Sequence, residues 1–201
     1  MRIHIKDNDK ADLFVQCFQH IKTFTESVNI MFNETELYVQ SMDHAMVMIS
    51  EMKLPYTWFD EYILTDEVSV TLGVNTGLWS KVLSLREKSQ TILLDTSGSD
   101  DHLLVKFTSS DESNEKNKSF DKEFVIPLID LESDLMQIPE TEYQADITMT
   151  SSNLAGIITQ LKQFGDTFHV FCNENELKFF SESDVFGKMI ANVSVDDVEE
   201  F

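Results

Sequence analysis

The chain has 201 residues, 42% of them hydrophobic, with 36 acidic against 15 basic side chains and a formal net charge of −21. That length and composition suit one large or two small globular domains, and no apolar run approaches the roughly 18–20 residues that cross a bilayer. The start, Met1-Arg2-Ile3-His4-Ile5, lacks the apolar stretch of a secretory signal, and so acidic a chain repels phosphate unless its charge is unevenly placed.

In chain order, Phe14, Cys17, Phe18 and Ile21 recur at helical spacing, with Asp12 as the expected N-terminal cap. Short alternating runs at 28–32, 37–40, 46–52 and 68–72 read as strands. Asn75-Thr76-Gly77 opens a second helical pattern, Leu78, Val82 and Leu85. Strands follow at 91–94, 103–107 and 120–128, with the polar run 109–119 as a solvated loop. A third helix, with Leu154, Ile157, Ile158 and Leu161, follows Ser151-Ser152-Asn153, and strands are expected at 168–172, 177–180 and 188–195. Many strands with few short helices make a layered α+β architecture. Cys17 and Cys172, far apart in apolar stretches, read as buried free thiols rather than a disulfide or metal site, which implies a reducing, intracellular compartment.

The charge is unevenly placed. Windows 13–25, 68–86 and 147–165 contain no Asp or Glu, although a uniform spread would put roughly nine acidic residues there. They hold Lys22, Lys81, Arg86 and Lys162. Burial of the helices would exclude charge by itself; a shared surface that must not repel phosphate is the sharper reading.

The chain also repeats. Phe24 to Leu37 aligns without a gap on Phe164 to Leu177, at an offset of 140 residues, with Asn33-Glu34-x-Glu36-Leu37 and Asn173-Glu174-x-Glu176-Leu177 sharing one pattern. Upstream, Phe14 matches Leu154, Ile21 matches Leu161 and Lys22 matches Lys162, so a duplicated unit is expected. The first copy needs about 140 residues and about 60 follow position 141, so the second copy is expected to be incomplete. No phosphate-binding glycine loop, nucleophile elbow or His-Glu-x-x-His motif is present. Asp43-His44 is too local for a catalytic pair, and residues 95–102 lack the ligand spacing of a calcium loop. No catalytic residue, metal or cofactor is expected.

Tyr38-Val-Gln-Ser41-Met42-Asp43, Gly73-Val-Asn-Thr-Gly-Leu-Trp-Ser-Lys81, the segment 128–143 ending Ile138-Pro139-Glu-Thr-Glu142-Tyr143, and Phe164-Gly165-Asp166 occur in the order of motifs in one family. The chain resembles the DNA sliding clamps of the proliferating cell nuclear antigen family over essentially its whole length. The resemblance implies an N-terminal clamp domain at 1–128, an interdomain connecting loop at 129–143 and a partial C-terminal clamp domain at 144–201. It further implies a homotrimeric ring with helices facing duplex DNA and antiparallel sheets outside. Such a clamp is a non-enzymatic processivity factor that an ATPase loader opens, in the nucleus or at a viral replication site.

By that resemblance Lys22, Lys81 and Lys162 are channel lysines that hold phosphates without reading bases, helped by Lys10 and Arg86. Gln16, Ser84, Gly156, Thr159 and Gln163 stand where eukaryotic clamps commonly carry basic residues. This thinner positive lining, with Met46 in place of a usual histidine, suggests a divergent or viral member. A pocket for the glutamine-and-aromatic motif of clients such as polymerases would use Met42, Asp43, Met46, Val47, Ile49, Met136, Ile138, Pro139 and Tyr143. The subunit interface would pair the strand from Phe120, with Phe124 pointing outward, with Gly187 to Val193 of a neighbour, Met189 included, while Leu161 and Phe164 pack nearby. The rival readings are a subunit of the hetero-trimeric checkpoint clamp, an acidic DNA mimic, which would carry acid on the helices too, and a nuclease, which would need clustered carboxylates. No membrane partner is expected.

Overall fold

A computed structural model describes residues 1–64, 68–96, 98, 101–109, 120–132, 135–138, 142–143, 145–173 and 176–194. The elements run β1 (Arg2–Ile5), α1 (Asn8–Ile21), β2 (Ser27–Asn33), β3 (Glu36–Met42), β4 (Ile49–Pro55), a 3-10 turn (Tyr56–Trp58), β5 (Glu61–Ile63), β6 (Ser69–Asn75), α2 (Thr76–Leu83), β7 (Gln90–Asp95), β8 (His102–Ser109), β9 (Lys122–Pro127), α3 (Ser151–Leu161), β10 (His169–Asn173), β11 (Glu176–Ser183) and β12 (Gly187–Val193). The chain divides into two compact units, Met1–Met136 and Gln137–Phe201.

In the first unit, α1 and α2 pack on each other. An antiparallel five-stranded sheet, β5-β1-β7-β8-β9, carries α1, and a four-stranded one, β4-β3-β2-β6, carries α2. Alternation decides which side chains go in: β2 and β3 both bury every second residue, including Val28, Ile30, Phe32, Leu37 and Val39. On the helices, Ala11, Phe14, Phe18 and Ile21 form the core face of α1, and Trp79, fully buried on α2, meets Phe18 edge to face with ring centroids 5.5 Å apart.

Local chemistry sets the helix ends. Asp7, not Asp12, caps α1, accepting from the Lys10 backbone N–H at 2.9 Å. Asn75 caps α2 through the Leu78 N–H. That helix ends at Leu83, so Leu85, expected to continue its apolar stripe, is 48% exposed. Arg86 ties the region together: its buried guanidinium donates to Asp12 at 2.5 Å, to the Gln90 carbonyl at 2.6 Å and to Asn8 Oδ1 at 3.2 Å. Asp12 is therefore the partner of a core arginine rather than a cap.

The second unit repeats the first on a smaller scale. Its sheet is β10-β11-β12, and Leu161, Leu177 and Phe179 form its buried centre. Asn33 Oδ1 accepts from the Glu36 N–H at 2.9 Å and Asn173 Oδ1 from the Glu176 N–H at 2.9 Å, so one side chain makes the same turn 140 residues apart. Lys22 and Lys162 are the C-caps of α1 and α3 with nearly identical backbone angles, φ −54° and ψ −27° against φ −55° and ψ −20°. The copies differ where one hydroxyl has moved. Ser181 donates to the Thr167 carbonyl at 2.7 Å, and Gly165 leaves room for it, since a Cβ there would lie 2.8 Å from the Ser181 hydroxyl oxygen. In the first copy the equivalent of Gly165 is Thr25, whose own hydroxyl takes the Ser27 carbonyl at 2.9 Å. The matching Ser41 is buried, and its hydroxyl has no hydrogen-bond partner among the described residues.

A consequence is an asymmetry between matched serines. Ser41→Ala is expected to leave stability unchanged or raise it, because it removes an unsatisfied buried hydroxyl, whereas Ser181→Ala should cost about 1 kcal/mol. Urea unfolding with site-resolved amide exchange separates the two; equal losses would contradict the exchange of hydroxyl partners.

Candidate functional site

Lys22 and Lys81 are exposed in the first unit, at the end of α1 and in the last turn of α2, which pack side by side. A cation there lies at the negative end of the helix dipole. Lys162 repeats the Lys22 position in the second unit and is also exposed. No ion pair among the described residues occupies these three lysines. The first turns of α2 and α3 carry no acid; in α1, Asp9 and Asp12 precede the acid-free stretch.

Two expected helpers differ. Arg86 is no surface cation, its side chain being 2% exposed and committed to Asp12. Lys10 is half-buried, donating its ammonium to the Trp58 carbonyl at 2.7 Å and lying 5.6 Å from that indole ring. Sequence spacing alone cannot distinguish such inward-turned cations from free ones.

The second surface lies at the end of β3. Asp43 gathers the turn that follows, accepting from the N–H groups of Val47 at 2.9 Å, Met48 at 2.8 Å and Ala45 at 3.2 Å. These backbone donors, Met48 first, hold its carboxyl below the usual carboxylate range. The turn puts Met46 at φ 57° and delays β4 until Ile49, which is why the strand expected from position 46 starts three residues later. Asp43 thus shapes its own turn. It leaves Met46 78%, Val47 84% and Ile49 38% exposed beside half-buried Met42.

The segment after β9 crosses the outer face of this sheet. Ile129 donates to the Gly73 carbonyl at 2.9 Å, and a Cβ on Gly73 would lie 2.0 Å from the Ile129 carbonyl oxygen, so only glycine admits the crossing. Asn29 donates to the Leu131 carbonyl at 3.1 Å, and the Gln40 amide binds Met136 in both directions, at 3.0 and 2.8 Å. Under the segment runs a groove of about 390 Å³ whose lining includes Met31, Met42, Leu131, Leu135 and Met136. Only Met42 and Met136 of the expected pocket residues line it. Asn29 and Gln40 were missed at the sequence level; their outward places on alternating strands were the available signal. Ile138 and Tyr143 are exposed residues of the second unit, and Pro139 lies outside the described residues.

The interface residues also divide. Phe120 is 84% exposed, and β9 and β12 each end a sheet. Phe124 does not point outward: it packs on Phe107 with ring centroids 5.5 Å apart, and Val125 takes the outward place. Leu161 is 1% exposed, enclosed in the core of the second unit, and Met189, half-buried on the edge strand β12, packs against the same core. Phe164 is half-buried, and Gly187 begins β12 at φ 78°. Cys17 and Cys172 are free, each half-buried rather than enclosed. Of the loop expected at 109–119, Ser109 instead ends β8, and residues 110–119 lie outside the described residues.

Comparison with known proteins agrees with this architecture. The family model for the proliferating cell nuclear antigen N-terminal domain matches residues 6–135, and that for its C-terminal domain matches residues 137–201. The proliferating cell nuclear antigen of Saccharomyces cerevisiae is 24% identical over 189 residues, 94% of this chain and 70% of its own length. That of Chaetomium thermophilum is 27% identical over 177 residues, 88% of this chain and 65% of its own. The chain therefore spans about two thirds of the length of these relatives. The crystal structures of the Thermococcus kodakaraensis and Entamoeba histolytica proteins superpose with a TM-score of 0.84 each, at 17% and 22% identity, covering 99% and 100% of this chain and 76% of theirs; they share its fold. Composition, motifs, sheet topology and family models converge: the chain belongs to the proliferating cell nuclear antigen family of DNA sliding clamps.

Proposed function

We propose that this chain acts as a sliding clamp subunit that encircles duplex DNA in a homotrimeric ring and tethers replication and repair proteins to it. The observation that carries the reading is the charge arrangement: a chain of net charge −21 keeps exposed lysines, and no carboxylates, at the ends of α1, α2 and α3. An acidic DNA mimic would need the opposite. Lys22, Lys81 and Lys162 make loose phosphate contacts through water, which hold the duplex without fixing a register and so permit sliding. The protein does no bond chemistry; its work is topological.

The ring closes head to tail, the edge strand β9 of one subunit pairing with β12 of the next, with Phe120 and Val125 beside the joint. A loader ATPase opens it. Clients dock at the exposed Met46, Val47 and Ile49 and at the groove under the connecting segment, where flexible methionine side chains adapt to apolar and aromatic anchors. Residues 129–143 serve as the connection between the clamp domains. The nucleus, or a viral replication site, is where such a clamp works.

Encirclement is tested by loading the protein on closed circular DNA and then linearising it. Retention on circles and loss from linear ends is expected; equal loss from both would overturn the ring. The triple variant Lys22→Gln, Lys81→Gln and Lys162→Gln should weaken duplex binding and reduce the dependence of log K on log salt by about 0.9 for each phosphate left without its cation. Arg86→Met instead should cost about 2 kcal/mol of stability through its lost charge-assisted hydrogen bonds, Asp12 being 37% exposed and open to water, and at a temperature where it remains folded its salt dependence should equal that of the wild type.

At the client surface, the depressed Asp43 carboxyl stabilises the turn above its unfolded pKa. That contribution is lost as pH falls through the lower folded value. Asp43→Ala should therefore speed amide exchange at Val47 and Met48 at neutral pH and weaken binding of a glutamine-and-aromatic peptide. Unchanged exchange would remove Asp43 from this role.

A further inference from the structure

The turn that follows α2 holds a cation that none of the lysine assignments uses. On α1, Asp12, Gln16 and Gln19 stand at positions i, i+4 and i+7, so they stack along one flank of the helix, away from Ala11, Phe14, Phe18 and Ile21 in the core. That flank is one wall of a cleft of about 260 Å³, and Ser84, Arg86 and Lys88 belong to the other. One water takes roughly 30 Å³, so the cleft admits a hydrated phosphate group. The main chain at Lys88 is held in place. The Gln90 N–H donates to the Glu87 carbonyl at 2.9 Å, the Glu87 N–H to Gln90 Oε1 at 3.0 Å, and Arg86 to the Lys88 carbonyl at 3.2 Å.

The charges in and around the cleft leave one surplus. Asp12, the one carboxylate among the described residues that line it, is neutralised by Arg86 at 2.5 Å, and neighbouring Glu87 by Lys122 at 2.6 Å. Lys88 is exposed, and its ammonium takes part in no hydrogen bond or ion pair among the described residues. The same holds for the side-chain amides of Gln16 and Gln19, both exposed. Ser84 is already engaged, its hydroxyl donating to the Lys81 carbonyl at 2.7 Å. Two amides and one ammonium thus line a single cleft with their N–H donors unspent and one positive charge uncompensated.

We propose that this cleft is a seat for a backbone phosphate of duplex DNA, with Lys88 as its cation and the Gln16 and Gln19 amides as its neutral donors. The inference rests on the clamp reading above and adds a contact away from the helix-end lysines. The helices beside it, α1 and α2, are the pair that carries Lys22 and Lys81. Amide N–H groups and an ammonium match the acceptor oxygens of a phosphodiester, and contacts of this kind read no base. A single charge on a flexible stem, flanked by neutral donors, grips without a fixed geometry, as sliding requires.

The test measures affinity for a short linear duplex, which a ring can thread without a loader, over a range of ionic strength. Lys88→Gln, Gln19→Glu and Lys106→Gln each lower the net charge by the same amount, but only the first two alter the cleft; Lys106 lies on β8, paired with Glu123. Lys88→Gln should bind roughly threefold more weakly and reduce the dependence of log K on log salt by about 0.9. Gln19→Glu, which sets a carboxylate in the cleft, should weaken binding at least as much, and Lys106→Gln should match the wild type. A Lys88→Gln protein that behaves like Lys106→Gln, or a Gln19→Glu protein that binds like the wild type, overturns the seat. The triple variant of Lys22, Lys81 and Lys162 keeps the two readings apart. If it binds as the wild type does, the DNA-facing assignment of the helices falls and the seat with it; if it weakens binding while Lys88→Gln tracks Lys106→Gln, only the seat falls.

Discussion

Electrostatic repulsion between carboxylate and phosphate is the constraint around which the molecule is arranged. With more than two acidic residues for each basic one, charge spread evenly would exclude a polyanion from every face. The helices escape this because their sequence windows are empty of acid, and because the two acids that enter α1, Asp9 and Asp12, sit in its first turns, Asp12 neutralised by Arg86. The lysines that remain free are at helix C-termini, where the backbone dipole supports them. Among the described residues the rest of the acid lies in loops and on strands, where solvent screens it.

Duplication makes the arrangement economical. The same asparagine turn and the same lysine C-cap appear in both units, so one local solution to the problem of ending a helix beside a strand is used twice. The copies then drift under packing rules. Thr25 in place of the glycine at 165 takes over a carbonyl and strands the hydroxyl of Ser41, a local fault that the surrounding sheet tolerates. The outer face of the first unit carries a different solution. Gly73, Asn29 and Gln40 pin an irregular segment against a sheet through its backbone groups, which leaves the groove beneath it open.

Much of this was legible in the chain. Helical and alternating periodicity located the three helices and most strands to within a few residues, since burial of one face is what periodicity records. The N-terminal strand Arg2–Ile5 and the short Glu61–Ile63 escaped, because each has too few residues for a pattern and is held by its neighbours' register. The Asp12 cap failed because Asp7 begins the helix a turn earlier; both are acceptable caps locally, and the distant Arg86 decides between them. The expected start of β4 failed because one carboxylate collecting three backbone donors outweighs the strand propensity of a Met-Val-Met run.

By itself, the sequence determined the α+β class, the repeat, the family and the acid-free windows, all of which are carried by order and spacing along one dimension. Tertiary structure alone decided which cations are free. Lys22, Lys81 and Lys162 reach solvent while Arg86 and Lys10 turn inward, because the partners of the last two, Asp12 and the Trp58 carbonyl, lie 74 and 48 residues away and meet them only once the sheets close. The same holds for Phe124 and Leu161: an apolar side chain on an edge strand or helix reads the same whether it faces a neighbour or its own core, and packing against Phe107 or Phe179 settles it.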